Sequence, residues 1–195
     1  SLIENKHNKN STFTFLFAGR MLRDKGLLEL ISAVQQVNQG KLRCKLTLCG
    51  FSDVDNISAI SKDELNSFSL IQGIDWIGPS DSIEEVLASV DCVVLPSYRE
   101  GMPKILLEAG AMGLPSLASD VPGCRNVIQD GVNGLLFKPK NIQSLEHAIK
   151  QMLDMKDSER KLMGLNAKEI IEKHFNEQIV VNAFFDVLKE YEVRL

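Results

Sequence analysis

Asp91-Cys92-Val93-Val94-Leu95-Pro96 is a run of strand character, and Glu100-Gly101-Met102-Pro103-Lys104-Ile105-Leu106-Leu107-Glu108 follows it as a loop and an apolar helix opened by Pro103. A buried strand that feeds a helix through a short loop is half of a βαβ unit, and it decides the fold class. Glu100 falls in the loop at the strand's C-terminal end and Glu108 inside the helix, where an open α/β sheet binds its ligand.

Working outward, apolar and β-branched runs of strand length recur at Phe13–Ala18, Lys45–Cys49, Ile74–Ile77, Ser116–Ala118 and Gly134–Phe137. Helical spacing separates them. It is clearest over Gly26–Val37, where Leu27, Leu30, Ile31, Val34 and Val37 share a face, and it predicts further helices at Ile57–Phe68, Ile83–Ser89, Pro103–Met112, Cys124–Gln129 and Ile142–Leu153. This alternation predicts an α/β domain with a doubly wound, parallel, six-stranded sheet covered on both faces. Strand signals stop after residue 156, and two more helices are expected at Ser158–Lys173 and Glu177–Tyr191. The expected organisation is a linker or cut end at 1–11, a Rossmann-like domain at 12–155, and C-terminal helices at 156–195 that pack on that domain or on another.

Composition narrows the function. The net charge is −4, which argues against binding nucleic acid through the overall field. Cys44, Cys49, Cys92 and Cys124 form no C-x-x-C pair and read as small core residues of a reducing compartment. His7, His147 and His174 have no ligand spacing with them, so no metal site is expected. No apolar run approaches the roughly 20 residues that cross a bilayer.

Two carboxylates and two cations carry the chemistry. Ile105, Leu106, Leu107, Ala109, Ala111 and Met112 surround Glu108, so its helix reads as buried and its charge needs a partner. Paired ribose hydroxyls would suit a carboxylate. The alternative is Lys104 one turn earlier, the weaker order for a helical ion pair. The first strand ends in Ala18-Gly19-Arg20, and Lys25-Gly26 opens the next helix. Arg20 and Lys25 at a strand edge and helix start suit a diphosphate, or, with Asp24 beside them, form a solvated surface cluster. Gly101 lets backbone approach a second phosphate position before Met102, Pro103 and Lys104. Neither G-x-G-x-x-G nor a Walker motif occurs.

Gly19-Arg20 to Lys25-Gly26, Asp91 to Ser97, Glu100-Gly101-Met102-Pro103 to Glu108-Ala109, and Val121-Pro122-Gly123 to Asp130-Gly131-Val132-Asn133-Gly134 together resemble the group 1 family of retaining glycosyltransferases with the two-domain GT-B fold. The resemblance covers roughly residues 12 to 155. It implies the C-terminal, donor-binding half of such an enzyme, with Arg20 and Lys25 on the diphosphate, Glu100 on the sugar and Glu108 on the ribose. Arg20, Lys25 and Glu100 are then the expected catalytic groups. Gly101, Met102, Pro103, Lys104 and Ile77 join Arg20, Lys25 and Glu108 around the donor. The base is expected near Phe51-Ser52 and Trp76-Ile77-Gly78, although Trp76 itself reads as a core aromatic.

The implied donor is a UDP or GDP sugar, with no cofactor, and the implied acceptor is a glycan or lipid-linked oligosaccharide of bacterial surface polysaccharide synthesis. The acceptor site falls to the N-terminal domain. The implied location is cytoplasmic, at the inner membrane face through that domain. Other readings of the residues are a non-catalytic nucleotide-binding module and a GT-B epimerase. Pro103 departs from the Gly common in the family and removes one amide.

Overall fold

Short apolar runs, most of them buried on both faces, form six strands with helices between them in the computed structural model, which describes residues 12–52 and 56–175. The strands are β1 (Phe13–Ala18), β2 (Cys44–Cys49), β3 (Ile74–Gly78), β4 (Cys92–Leu95), β5 (Ser116–Ser119) and β6 (Gly134–Phe137). All pair in parallel, in the order β3-β2-β1-β4-β5-β6. The chain thus winds outward from β1 in one direction, returns, and winds outward from β4 in the other. A crevice opens between the C-terminal ends of β1 and β4, where the winding reverses.

The helices are α1 (Leu27–Val37), α2 (Lys62–Phe68), α3 (Ile83–Leu87), α4 (Lys104–Ala111), α5 (Pro122–Arg125), α6 (Ile142–Asp154) and α7 (Asp157–His174). α1 packs on α6, and α4 packs on α7. Right-handed crossovers leaving the central strands in opposite directions put α1 and α4 on opposite faces of the sheet, so the two pairs form its two covers. Between them Phe15, Leu16, Phe17, Val93 and Val94 are fully buried, which is why the central strands carry apolar residues on both faces.

Three expectations need correction. The segment predicted to be helical from Ile57 begins its helix only at Lys62, because Ser61 caps α2 by accepting from the Glu64 N–H, while Ser58 and Ile60 bind the β1–α1 loop. The helix expected at Cys124–Gln129 instead runs Pro122–Arg125, with Pro122 in its first turn, and Asn133 holds the backbone that follows. α4 is not buried all round: Leu106, Ala109 and Gly110 face the interior, Ile105 and Leu107 are half-buried, and Glu108 is exposed. The predicted helix at 177–191, the segment 1–11 and His7 lie outside the described residues. Among the described residues no helix is long and apolar enough to cross a membrane.

Candidate functional site

The loops at the C-terminal ends of β1 to β4 enclose a cleft of about 480 Å³. Gly19, Arg20 and Lys25 reach it from the β1–α1 loop, and Gly50 and Phe51 from the end of β2. Pro79, Ser80 and Ile83 follow β3, while Glu100, Met102, Pro103, Lys104 and Glu108 come from the β4–α4 loop and α4.

The β1–α1 loop is built rigidly. Gly19 N–H donates to the Cys49 carbonyl, Met21 N–H to Phe51, and Ile60 N–H to Met21, so the first two loops form one wall. Arg23–Lys25 make a single 3-10 turn, ended by Gly26 at φ +71°. A Cβ there would lie 2.2 Å from the Pro96 carbonyl oxygen, so only glycine lets this loop close on the loop after β4. Asp24 does not clasp the pocket lysine: its carboxylate takes the Ser58 hydroxyl, and its carbonyl accepts the Tyr98 N–H at 3.0 Å.

Lys25 Nζ and Glu100 Oε1 meet at 2.6 Å, with side chains only 22% and 12% exposed. Seventy-five positions separate them in sequence. Behind them, Gly123 of α5 abuts the Glu100 backbone, since a Cβ there would stand 2.3 Å from the Glu100 carbonyl oxygen. Tyr98 donates its hydroxyl to Glu29 Oε1 of α1 at 2.5 Å, and Lys140 Nζ lies 4.5 Å above its ring. Burial, aided by that hydrogen bond, pushes the Tyr98 phenol up to about 12, so it remains a donor at neutral pH. Burial also lifts the Cys124 thiol to about 12; the charge of Glu100 adds to the rise and Lys25 opposes it.

Of the residues proposed from sequence, Arg20, Lys25, Glu100, Met102, Pro103, Lys104 and Glu108 all line this cleft. Gly101 and Ile77 do not. Gly101 is exposed beside the wall, and Ile77 alternates out of the last strand turn to 51% exposure. Glu108 is solvent-facing rather than a buried charge, and among the described residues no ion pair joins it to Lys104. Its carboxylate is presented to the cleft without an intrahelical partner. Trp76 belongs to the packing, with its indole N–H on the Gly50 carbonyl at 2.9 Å. Sequence reasoning missed the Lys25–Glu100 pair and the Tyr98–Glu29 contact, which no local spacing announces. It also missed Ser80 and Ile83, for which the Gly78-Pro79 break after β3 was the available signal. Among the described residues no cluster of three or more His, Cys, Asp or Glu could hold a metal ion.

This cleft at the switch point, lined by three cations and two carboxylates, can be set beside known proteins. The model of the family described as glycosyl transferases group 1 matches residues 2–170. The chain belongs to that family. As a group 1 glycosyltransferase chain it takes the Rossmann-like fold of the C-terminal GT-B half. It is 26% identical over 183 residues to the capsular polysaccharide biosynthesis glycosyltransferase CapM of Staphylococcus aureus, covering 91% of this chain and 47% of that protein. It is 30% identical over 177 residues to the N,N'-diacetylbacillosaminyl-diphospho-undecaprenol alpha-1,3-N-acetylgalactosaminyltransferase of Campylobacter jejuni, covering 91% of this chain and 44% of that one. Among solved structures, Anabaena HepE in complex with UDP-glucose superposes with a TM-score of 0.78 at 22% identity, covering 92% of this chain and 49% of HepE. The chain spans about half the length of the curated relatives it matches.

Proposed function

We propose that this cleft binds a nucleotide diphosphate sugar and that the chain is the donor-binding half of a retaining hexosyltransferase. One observation carries the reading: Arg20, Lys25, Glu100 and Glu108, drawn from two distant segments, line a single cleft at the point where the sheet's winding reverses. In this reading Arg20 and Lys25 bind the diphosphate. As the bond between the anomeric carbon and the phosphate oxygen breaks, they stabilise the charge that gathers on the leaving group. Glu100 accepts hydrogen bonds from sugar hydroxyls, and Glu108 from the ribose. The half-exposed Phe51 and the Ser80–Ile83 segment border the base.

HepE is seen with UDP-glucose, and CapM is named for capsular polysaccharide biosynthesis. From the family resemblance, and by likeness to these and to the Campylobacter jejuni diphospho-undecaprenol transferase, the donor is a UDP or GDP hexose and the acceptor a glycan or lipid-linked oligosaccharide of bacterial surface polysaccharide synthesis. The acceptor oxygen attacks on the face the phosphate leaves, giving its proton to the departing phosphate. We assign the acceptor to a second, N-terminal domain and the reaction to the cytoplasmic side of the membrane.

Calorimetric titration with UDP, GDP, ADP and their hexose conjugates tests the reading. One nucleotide series should bind, and Arg20→Ala and Glu108→Ala should each weaken it at least tenfold. A protein that binds all three diphosphates alike and ignores both substitutions would instead be a general nucleotide module. Donor interconversion without acceptor would identify an epimerase.

A further inference from the structure

Lys25, one of the cations lining the cleft, is already engaged. Lys25 Nζ sits 2.6 Å from Glu100 Oε1, and both side chains are largely withdrawn from water, so their attraction is stronger than that of a surface pair. Glu100 cannot withdraw by moving its loop. Gly123 backs its carbonyl at a distance that leaves no room for a Cβ, and Tyr98 ties the preceding residues to α1 and to the 3-10 turn that carries Lys25. The movable partner is the lysine, whose ammonium is a point charge on a flexible four-carbon stem.

We propose that Glu100 competes with a bound diphosphate for Lys25, so that the site favours a nucleotide sugar over the bare nucleoside diphosphate and expels the latter. The inference rests on the donor reading above. A sugar conjugate brings hydroxyl donors that can take the ammonium's place on Glu100, leaving Lys25 to the phosphates. A nucleoside diphosphate brings none. It must take Lys25 from a carboxylate that is then buried without a partner. After transfer the product is a nucleoside diphosphate, so the same contact that holds the sugar also drives product release.

The test is calorimetric titration of the purified protein with UDP, GDP and ADP and with UDP-glucose, GDP-mannose and ADP-glucose, repeated on Glu100→Gln, Lys25→Met and the double variant. Glu100→Gln should tighten the nucleoside diphosphate roughly five- to tenfold and reduce the preference for the sugar conjugate. In the Lys25→Met background the same substitution should give no such gain. Thermal melting confirms that each variant folds, and Glu100→Ala, which likewise removes the carboxylate, replaces Glu100→Gln if that variant does not melt cooperatively. If Arg20→Ala abolishes binding but Glu100→Gln leaves the diphosphate unchanged or weaker, the competition is wrong and the donor site stands. If the gain persists without Lys25, simple repulsion explains it and the competition is again wrong. If no nucleotide binds the wild type, both readings fall.

Discussion

Gly26 shows how one residue fixes the distance between two functional loops. Its φ of +71° is open to glycine, and a Cβ would stand 2.2 Å from a backbone carbonyl that cannot rotate away. Gly26→Ala should therefore cost about 2 kcal/mol or more in denaturant unfolding and weaken nucleotide binding, because Lys25 precedes it. Tyr98 acts at the same scale. Glu29 Oε2 is buried without a hydrogen-bond partner, so Oε1 depends on the Tyr98 hydroxyl. Tyr98→Phe should destabilise the fold by about 1–3 kcal/mol, read as a shifted urea midpoint at unchanged m. Neither contact could be read from spacing, since the partners are 69 and 70 positions apart; what the sequence did offer was the Lys25-Gly26 dipeptide at a helix start.

At the scale of elements, strands were the more legible because their apolar runs are short and bounded by turns. All six lie within a residue or two of their expected limits. Helix ends were less so. Residues 57–61 have helical spacing but serve as a strap, because Ile60 N–H, the Ser58 carbonyl and the Ser58 hydroxyl are already used by the β1–α1 loop. The turn at Asp130–Gly134 reads as punctuation, yet Asn133 is 1% exposed. Its side chain accepts the Gln129 N–H at 2.7 Å and donates to the Val127 carbonyl at 2.9 Å, organising the backbone between α5 and β6. Asn133→Ala leaves these groups unpaired and should cost about 2–3 kcal/mol, with faster amide hydrogen exchange confined to residues near 127–134.

For the whole molecule, the cysteines set an alkaline limit. Burial raises the Cys44 thiol from 9.0 to about 11 and Cys124 to about 12, and it raises Cys92 as well. Protonated in both states below pH 9, these thiols ionise first in the unfolded chain as pH rises. The unfolded state then binds fewer protons than the folded one, so stability is full below about pH 9 and is lost as pH climbs through 11 to 12. Melting temperature in reductant should fall by several degrees between pH 8.5 and 10.5, and Cys92→Ala should flatten that limb. By itself the sequence determined the βαβ alternation and the parallel sheet, because hydrophobic period and turn chemistry are local, and its motifs named the five charged residues that line the cleft. Only the tertiary structure decided that Lys25 and Glu100 neutralise each other, that Glu108 faces the cleft as an exposed carboxylate, and that Gly101 and Ile77 stand aside. Those outcomes depend on which loop ends the reversed winding brings within a few ångströms, and burial and charge pairing are properties of that assembled space.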